Sequence, residues 1–130
     1  MIRFTIPYPP TKKGKAVFCK RFGLNAYYAG KHWAQRKRDA DELHMLARSA
    51  MNRAHVKKQP FENPVEIRFY WDDGLDADNH AVIGKAIVDA MRGTVLHEDD
   101  RRYVAKVSHE FWGGGEILVE VKEICKDENK

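Results

Sequence analysis

The sequence lacks the features of membrane, secreted and disulfide-stabilised proteins. It has two cysteines, Cys19 and Cys125, which form neither a CxxC motif nor a disulfide framework, so we interpret both as free thiols. No apolar run approaches the roughly 20 residues that span a bilayer. The N-terminus, MIRFTIPYPP, has neither the apolar region nor the cleavage site of a signal peptide. We therefore expect a cytoplasmic protein that does not associate with membranes.

The common catalytic signatures are also missing. The chain contains no GxSxG, Walker A or GxGxxG motif, and none of its six histidines has the spacing of an HExxH or zinc-finger site. The glycine run at 113–115 lies between two predicted strands, which indicates a hairpin turn rather than a phosphate-binding loop. Nucleophilic serine chemistry and zinc chemistry are thus disfavoured, and the carboxylates become the main candidates.

The charged residues are distributed unevenly along the chain. The net charge of +4 divides into +11 for residues 1–60 and −7 for residues 61–130. A basic half in an otherwise nearly balanced protein is typical of a chain that binds a polyanion, although a solvated basic face with no partner gives the same count.

The pattern of apolar residues predicts one α+β domain over residues 1–130, with 125–130 as a frayed tail. Alternating residues predict strands, helical spacing predicts helices at 33–54 and 80–91, and residues 11–32 have no sustained period and suggest a long loop. Asp78 or Asn79 is the expected N-cap of the second helix. The order is β-α-β-α-β-β, and we expect a small mixed sheet packed against two helices.

Two acidic groups flank the second predicted helix. Asp76 and Asp78 follow the strand VEIRFYW, and Asp99 and Asp100 precede a later strand. If those two strands are neighbours, the two groups meet at one edge of the sheet. Converging carboxylates repel unless one is protonated or a cation lies between them, and oxygen ligands favour Mg²⁺ or Mn²⁺. The alternative is that these aspartates only form turns and helix caps.

Lys85 lies within the same helix, seven residues after Asp78. Helical side chains lean towards the N-terminus, so its ammonium group is placed to reach back to the acidic group and meet a phosphate there. The alternative is a surface ion pair with Asp89, four residues on.

The combined pattern DADN…K…DAM.G…EDDRRYV resembles the RusA-type family of Holliday junction resolvases, with the specific part at residues 76–104. The N-terminal PYPP…LNAYYAGKHW is similar to the family's proline-ended first strand and basic loop. One departure is the lysine, which follows the second aspartate by seven residues instead of four.

The resemblance implies a homodimeric, Mg²⁺-dependent endodeoxyribonuclease that resolves four-way DNA junctions by paired hydrolysis, with Mn²⁺ as a possible substitute. It implies metal ligands at Asp76, Asp78 and Asp100, with Asp99 as a further ligand, and a catalytic role for Lys85. The basic half would then bind DNA through Lys12, Lys13, Lys15, Lys20, Arg21, Asn25, Tyr28, Lys31, Arg36, Lys37 and Arg38.

Three other functions remain open at this stage. The first is a nickase of other branched DNA, the second is a branched-DNA-binding phage protein without catalysis, and the third is a protein with a structural Ca²⁺ site. Comparing cleavage of junction, fork and duplex DNA distinguishes the first from a resolvase, and junction binding without cleavage in Mg²⁺ or Mn²⁺ identifies the second. For the third, Ca²⁺ would raise the melting temperature and no cleavage would occur.

Overall fold

The computed structural model describes residues 1–124. A first strand is followed by three helices, a second strand, a fourth helix and two further strands. The strands are β1 (Ile2–Pro7), β2 (Val65–Trp71), β3 (Val104–Phe111) and β4 (Glu116–Glu123). The helices are α1 (Lys12–Phe22), α2 (Leu24–Tyr28), α3 (Trp33–Arg53) and α4 (Ala81–Ala90), with a 3-10 turn at Ala77–His80 before α4. The predicted α+β class with one mixed sheet is confirmed. The predicted frayed tail at 125–130 lies outside the described residues.

The four strands form one sheet in the order β1-β4-β2-β3, in which β2 and β3 are parallel and the other pairs are antiparallel. The predicted hairpin between β3 and β4 is therefore wrong, because β2 lies between these strands. The glycine-rich connection crosses the end of β2 instead of turning tightly. Its backbone is held there by hydrogen bonds from Trp112 N to Trp71 O (3.1 Å) and from Gly115 N to Asp72 Oδ2 (2.8 Å).

The predicted loop at 11–32 is also wrong, because most of it is helical. Thr11 caps α1 by accepting a hydrogen bond at Oγ1 from Gly14 N (2.9 Å). Phe18 and Phe22 lie one turn apart on the buried face of α1, and Phe18 packs edge-on against Tyr8. Two buried rings in an otherwise basic segment are enough to dock a helix, yet too few to give a recognisable period.

The two long helices agree with the prediction more closely. Leu43, Ala47 and Ala50 are buried on α3, which packs against α4 and β1. Ile83 and Ile87 are buried on α4. The predicted caps of α4 are not used: His80 is its N-cap residue, and no side chain caps it.

The helices cover one face of the sheet, where the alternating residues of β2 are fully buried beneath them: Val65, Ile67, Phe69 and Trp71. Within the described residues, no helix has the combination of length and apolar character that crossing a bilayer requires.

Candidate functional site

A cleft of about 460 Å³ lies between α2, α3 and α4 and brings predicted residues from both halves of the chain together. Its walls are apolar where Phe22, Leu24 and Leu43 contribute. Its charged lining residues are Arg21, Lys31, Arg36, Lys37, Asp39, Lys85 and Asp89. Tertiary structure thus places the predicted catalytic lysine in the same cleft as four of the predicted DNA-binding cations.

Asp39 organises one wall of this cleft. It is 5% exposed and accepts hydrogen bonds from Lys31 Nζ (2.6 Å), Gln35 Nε2 (2.8 Å) and Arg21 Nε (2.9 Å). Burial raises the pKa of Asp39, but these three donors outweigh it, so the net pKa lies below its ordinary value. The charges of Arg21 and Lys31, both predicted to contact DNA, are therefore already paired. The sequence analysis did not single out Asp39; its one visible feature there is that it is the first acidic residue of the chain.

Arg36 is held against the neighbouring helix. Its guanidinium carbon lies 4.2 Å from the ring centroid of Tyr27, and Nη2 donates a hydrogen bond to Tyr27 O (3.2 Å). This geometry fixes the position of one cation at the cleft and connects α2 to α3.

The remaining predicted DNA contacts are mostly on the surface. Lys12, Lys13, Lys20, Lys37 and Arg38 are exposed or partly exposed, whereas Lys15 is half-buried with Nζ 4.5 Å from the Tyr8 ring centroid. Asn25 is exposed, and its backbone N donates to Asn79 Oδ1 (3.2 Å). The side chain of Tyr28 lies outside the described part of the structure. Exposed cations on α1 and α3 therefore form the part of the predicted interface that is accessible to phosphate.

The first acidic group, Asp76 and Asp78, is exposed at the start of α4. Asp76 O accepts a hydrogen bond from Asn79 N (2.9 Å), which closes the 3-10 turn. Neither carboxylate contacts the second acidic group, which lies at the far end of the helix.

A buried network supports this turn from below. His80 is fully buried, stacks on Trp71 with ring centroids 4.2 Å apart, and has Nε2 at 2.8 Å from Asp73 Oδ1. Tyr8 donates its hydroxyl hydrogen to Asp73 Oδ2 (2.7 Å). Burial raises the pKa of Asp73, but the hydrogen bonds with His80 and Tyr8 outweigh it and bring the net value below the ordinary one. Asp73, which the sequence did not single out, thus anchors the turn that carries Asp76 and Asp78.

The second acidic group lies at the C-terminal end of α4. Burial and the neighbouring Asp99 carboxylate raise the pKa of Asp89, and a hydrogen bond from the protonated Asp89 carboxyl lowers the pKa of Asp99. Asp100 instead pairs with Arg102 through Oδ1 (3.0 Å) and Oδ2 (2.8 Å). These hydrogen bonds hold the pKa of Asp100 below its ordinary value. Two aspartates that are adjacent in sequence therefore have different partners.

Lys85 belongs to this second group. Its Nζ lies 3.6 Å from Asp89 Oδ1, and its side chain is 74% exposed. The expectation that Lys85 reaches back towards Asp76 and Asp78 is wrong: the structure has the surface pair with Asp89 instead.

The predicted meeting of the two acidic groups does not occur within one chain. β3 does lie beside β2, as the prediction required, but the strands are parallel, with Val65 opposite Val104 and Trp71 opposite Phe111. The group before β3 and the group after β2 are therefore at opposite ends of the strand pair, about 20 Å apart for a seven-residue strand. Within residues 1–124, no three His, Cys, Asp or Glu side chains are placed to hold a metal ion. The predicted ligand set does not fit one metal ion in a single subunit.

Comparison with protein-family models finds no match to this chain, and neither does comparison with curated proteins or with solved structures. The family resemblance of residues 76–104 therefore stays a prediction from the sequence.

Proposed function

We propose that the protein is a divalent-metal-dependent, structure-selective endodeoxyribonuclease that cuts branched DNA, with the four-way junction as its main substrate. The observation that carries this proposal is the cleft, because it joins Lys85 and Asp89 to the cations of α3. A phosphodiester in this cleft would contact positive charge from both halves of the chain. The resemblance of residues 76–104 to RusA-type resolvases supplies the reaction type.

The exposed cations of α1 and α3 would bind the DNA backbone around the cleft. Contacts of this kind position a duplex without reading its sequence, as a structure-selective nuclease requires. Each phosphate that is neutralised contributes a log-log salt slope of about −0.9, so binding should weaken steeply with added salt. At the cleft, the exposed ammonium of Lys85 would bind the scissile phosphate.

The metal would be Mg²⁺, with Mn²⁺ as a substitute. Since one subunit does not assemble the predicted ligands, a site that uses both acidic groups needs two subunits. In the proposed homodimer, Asp76 and Asp78 of one subunit would lie near Asp99 and Asp100 of the other. This arrangement agrees with the separation of the groups along α4 and gives two equivalent sites, as paired nicking requires.

Cleavage of an immobile, end-labelled four-way junction tests the proposal. We expect symmetric nicks near the crossover in Mg²⁺, none in EDTA, and little cutting of linear duplex. Asp76→Asn should lose cleavage and keep junction binding, whereas Asp41→Asn, at an exposed aspartate on α3, should cut normally. Equal cutting of duplex and junction, or normal cutting by Asp76→Asn, would refute the assignment.

Mixed dimers test the shared site. A co-expressed pair of Asp76→Asn and Asp100→Asn subunits contains one site with both changes and one intact site if the groups come from different subunits. If each site lies within one subunit, both sites carry a change. We therefore expect single-strand nicking by the mixed dimer and none by either parent; an inactive mixed dimer would show that the groups do not cooperate across subunits.

A branched-DNA-binding protein without nuclease activity is the second candidate. The internal pairs Asp89–Asp99 and Asp100–Arg102 favour it, because carboxylates already paired within the fold have structural roles. In that case the junction would be bound with a steep salt dependence, and neither Mg²⁺ nor Mn²⁺ would give nicks. Cutting of forks and flaps in preference to junctions would instead identify a nickase of other branched DNA.

A further inference from the structure

β3 is an edge strand with features that natural proteins usually avoid. Edge strands are protected from pairing with other chains by proline, charged side chains, bulges, short length or a covering element. The opposite edge, β1, has this protection: it ends at Pro7 and packs against α3. β3 has eight residues and no proline, and Val107 and Phe111 on it are 44% and 54% exposed.

The exposed apolar side chains of β3 continue the core. Val107 lies opposite Ile67 of β2, and Phe111 lies opposite Trp71, both of which are fully buried beneath the helices. The same face of the sheet is thus buried on β2 and left open on β3. This places an uncovered apolar row directly beside unpaired strand backbone.

The polar residues of β3 are complementary to the strand itself. Lys106 and Glu110 lie two residues before and two residues after Ser108. In an antiparallel pair of two β3 strands centred on Ser108, Lys106 of each copy faces Glu110 of the other. The same register sets Val107 against His109. A slip that moves the centre between Val107 and Ser108 sets Lys106 against His109 and loses both ion pairs.

We propose that a second copy of this chain pairs with β3 in this antiparallel register, which joins two four-stranded sheets into one of eight strands. Cross-strand ion pairs and apolar pairs stabilise such pairing, and closing the edge removes a site of uncontrolled association. The two-fold axis passes between the two Ser108 residues and is perpendicular to the sheet, so the helices of both copies cover the same face.

The interface has a consequence for the acidic groups, and this step rests on the proposed function. Antiparallel pairing places the start of one β3, which follows Asp99 and Asp100, beside the end of the other β3. The 3-10 turn that follows Asp76 and carries Asp78 contacts β3 on the helix-covered face. The register that the charges of β3 favour therefore also brings the two separated acidic groups of different subunits to the same end of the interface.

Charge reversal tests the interface by sedimentation equilibrium, without DNA or metal. Lys106→Glu sets glutamates against each other at two positions, and Glu110→Lys sets lysines against each other. We expect each single variant to raise the dimer dissociation constant roughly tenfold or more. A mixture of the two single variants should form heterodimers more readily than either variant forms homodimers, because both facing pairs of the heterodimer then join an acidic side chain to a basic one. The double variant should restore the homodimer, because both facing pairs are again of opposite charge.

A cross-link tests the register. In a background with Cys19 and Cys125 replaced by serine, Ser108→Cys should form a disulfide-linked dimer under mild oxidation, whereas Lys106→Cys should not, because it faces Glu110 of the second copy. A wild-type monomer at every accessible concentration, or a dimer indifferent to both charge reversals, would overturn the proposal. These results are independent of nuclease activity: an inactive dimer refutes the proposed function alone, and an active protein that dimerises elsewhere refutes the interface alone.

Discussion

Replacing Asp39 by asparagine should be among the most damaging single polar substitutions in the basic region. Asp39 is 5% exposed and accepts hydrogen bonds from Arg21, Lys31 and Gln35. The substitution keeps the shape of the side chain and removes its charge. Two cations then remain close together, without their shared counter-ion, at the junction of α1 and α3.

The size of the effect depends on how well solvent can reach the charged groups of Arg21 and Lys31 once the Asp39 charge is removed. Breaking a fully buried ion pair costs about 3–5 kcal/mol. The side chains of Lys31 and Arg21 are 17% and 37% exposed, and Arg21 keeps Glu42 as a second partner at 2.6 Å. We therefore expect a loss of about 2–3 kcal/mol in the free energy of unfolding. For a chain of 130 residues, with an unfolding entropy of about 0.27 kcal/mol/K, this lowers Tm by about 7–11 °C.

Thermal unfolding followed by circular dichroism measures this loss, with Asp41→Asn as the matched control on the exposed side of α3. The pKa of Asp39 is lowered on folding, so its contribution is present above the ordinary value of 3.8 and is lost as the pH falls through the lower folded-state value. The difference between wild type and Asp39→Asn should thus be full at neutral pH and shrink below about pH 4. A variant with the same Tm as the Asp41→Asn control at pH 7 would refute the role of Asp39 as the counter-ion of Arg21 and Lys31.

Three further changes probe other parts of the molecule. Tyr8→Phe removes a hydrogen-bond donor to the buried Asp73 carboxylate. Urea denaturation should show that the free energy of unfolding falls by about 1–2 kcal/mol. Thr11→Ala removes the cap of α1 and should cost about 1 kcal/mol in the same assay, whereas an unchanged midpoint would mean that α1 is held by its rings alone. Lys37→Gln should weaken junction binding for all DNA sequences and reduce the salt slope by about 0.9, while Lys122→Gln on β4 should change neither.

Much of the fold could be predicted because local pattern and burial agree. β2 alternates in sequence and is buried at every second residue, so its position was clear. α3 and α4 have long apolar faces and lie within a residue or two of their predicted bounds. α1 was missed because its docking depends on two rings, Phe18 and Phe22, and on a cap at Thr11, which are too few to form a periodic signal.

The residues of the candidate site also differ in whether the sequence alone could identify them. The sequence identified the exposed aspartates and Lys85 as unusual, since charge and spacing are visible without a structure. It could not identify Asp39 or Asp73, because an isolated aspartate in a basic or turn-rich segment does not show whether it is buried. Their importance comes from donors that are distant in the chain, such as Arg21 for Asp39 and Tyr8 for Asp73.

By itself, the sequence determined the class of the domain, its main strands and helices, and the residues that carry unbalanced charge. These follow from periodicity and composition, which are local properties of the chain. Only the tertiary structure decided that β2 separates β3 from β4 and that β2 and β3 are parallel. Strand order and direction depend on which non-local pairing buries the most apolar surface. As a result of this strand order and direction, the two acidic groups lie at opposite ends of α4, and β3 is an edge strand whose outer side no strand of residues 1–124 covers.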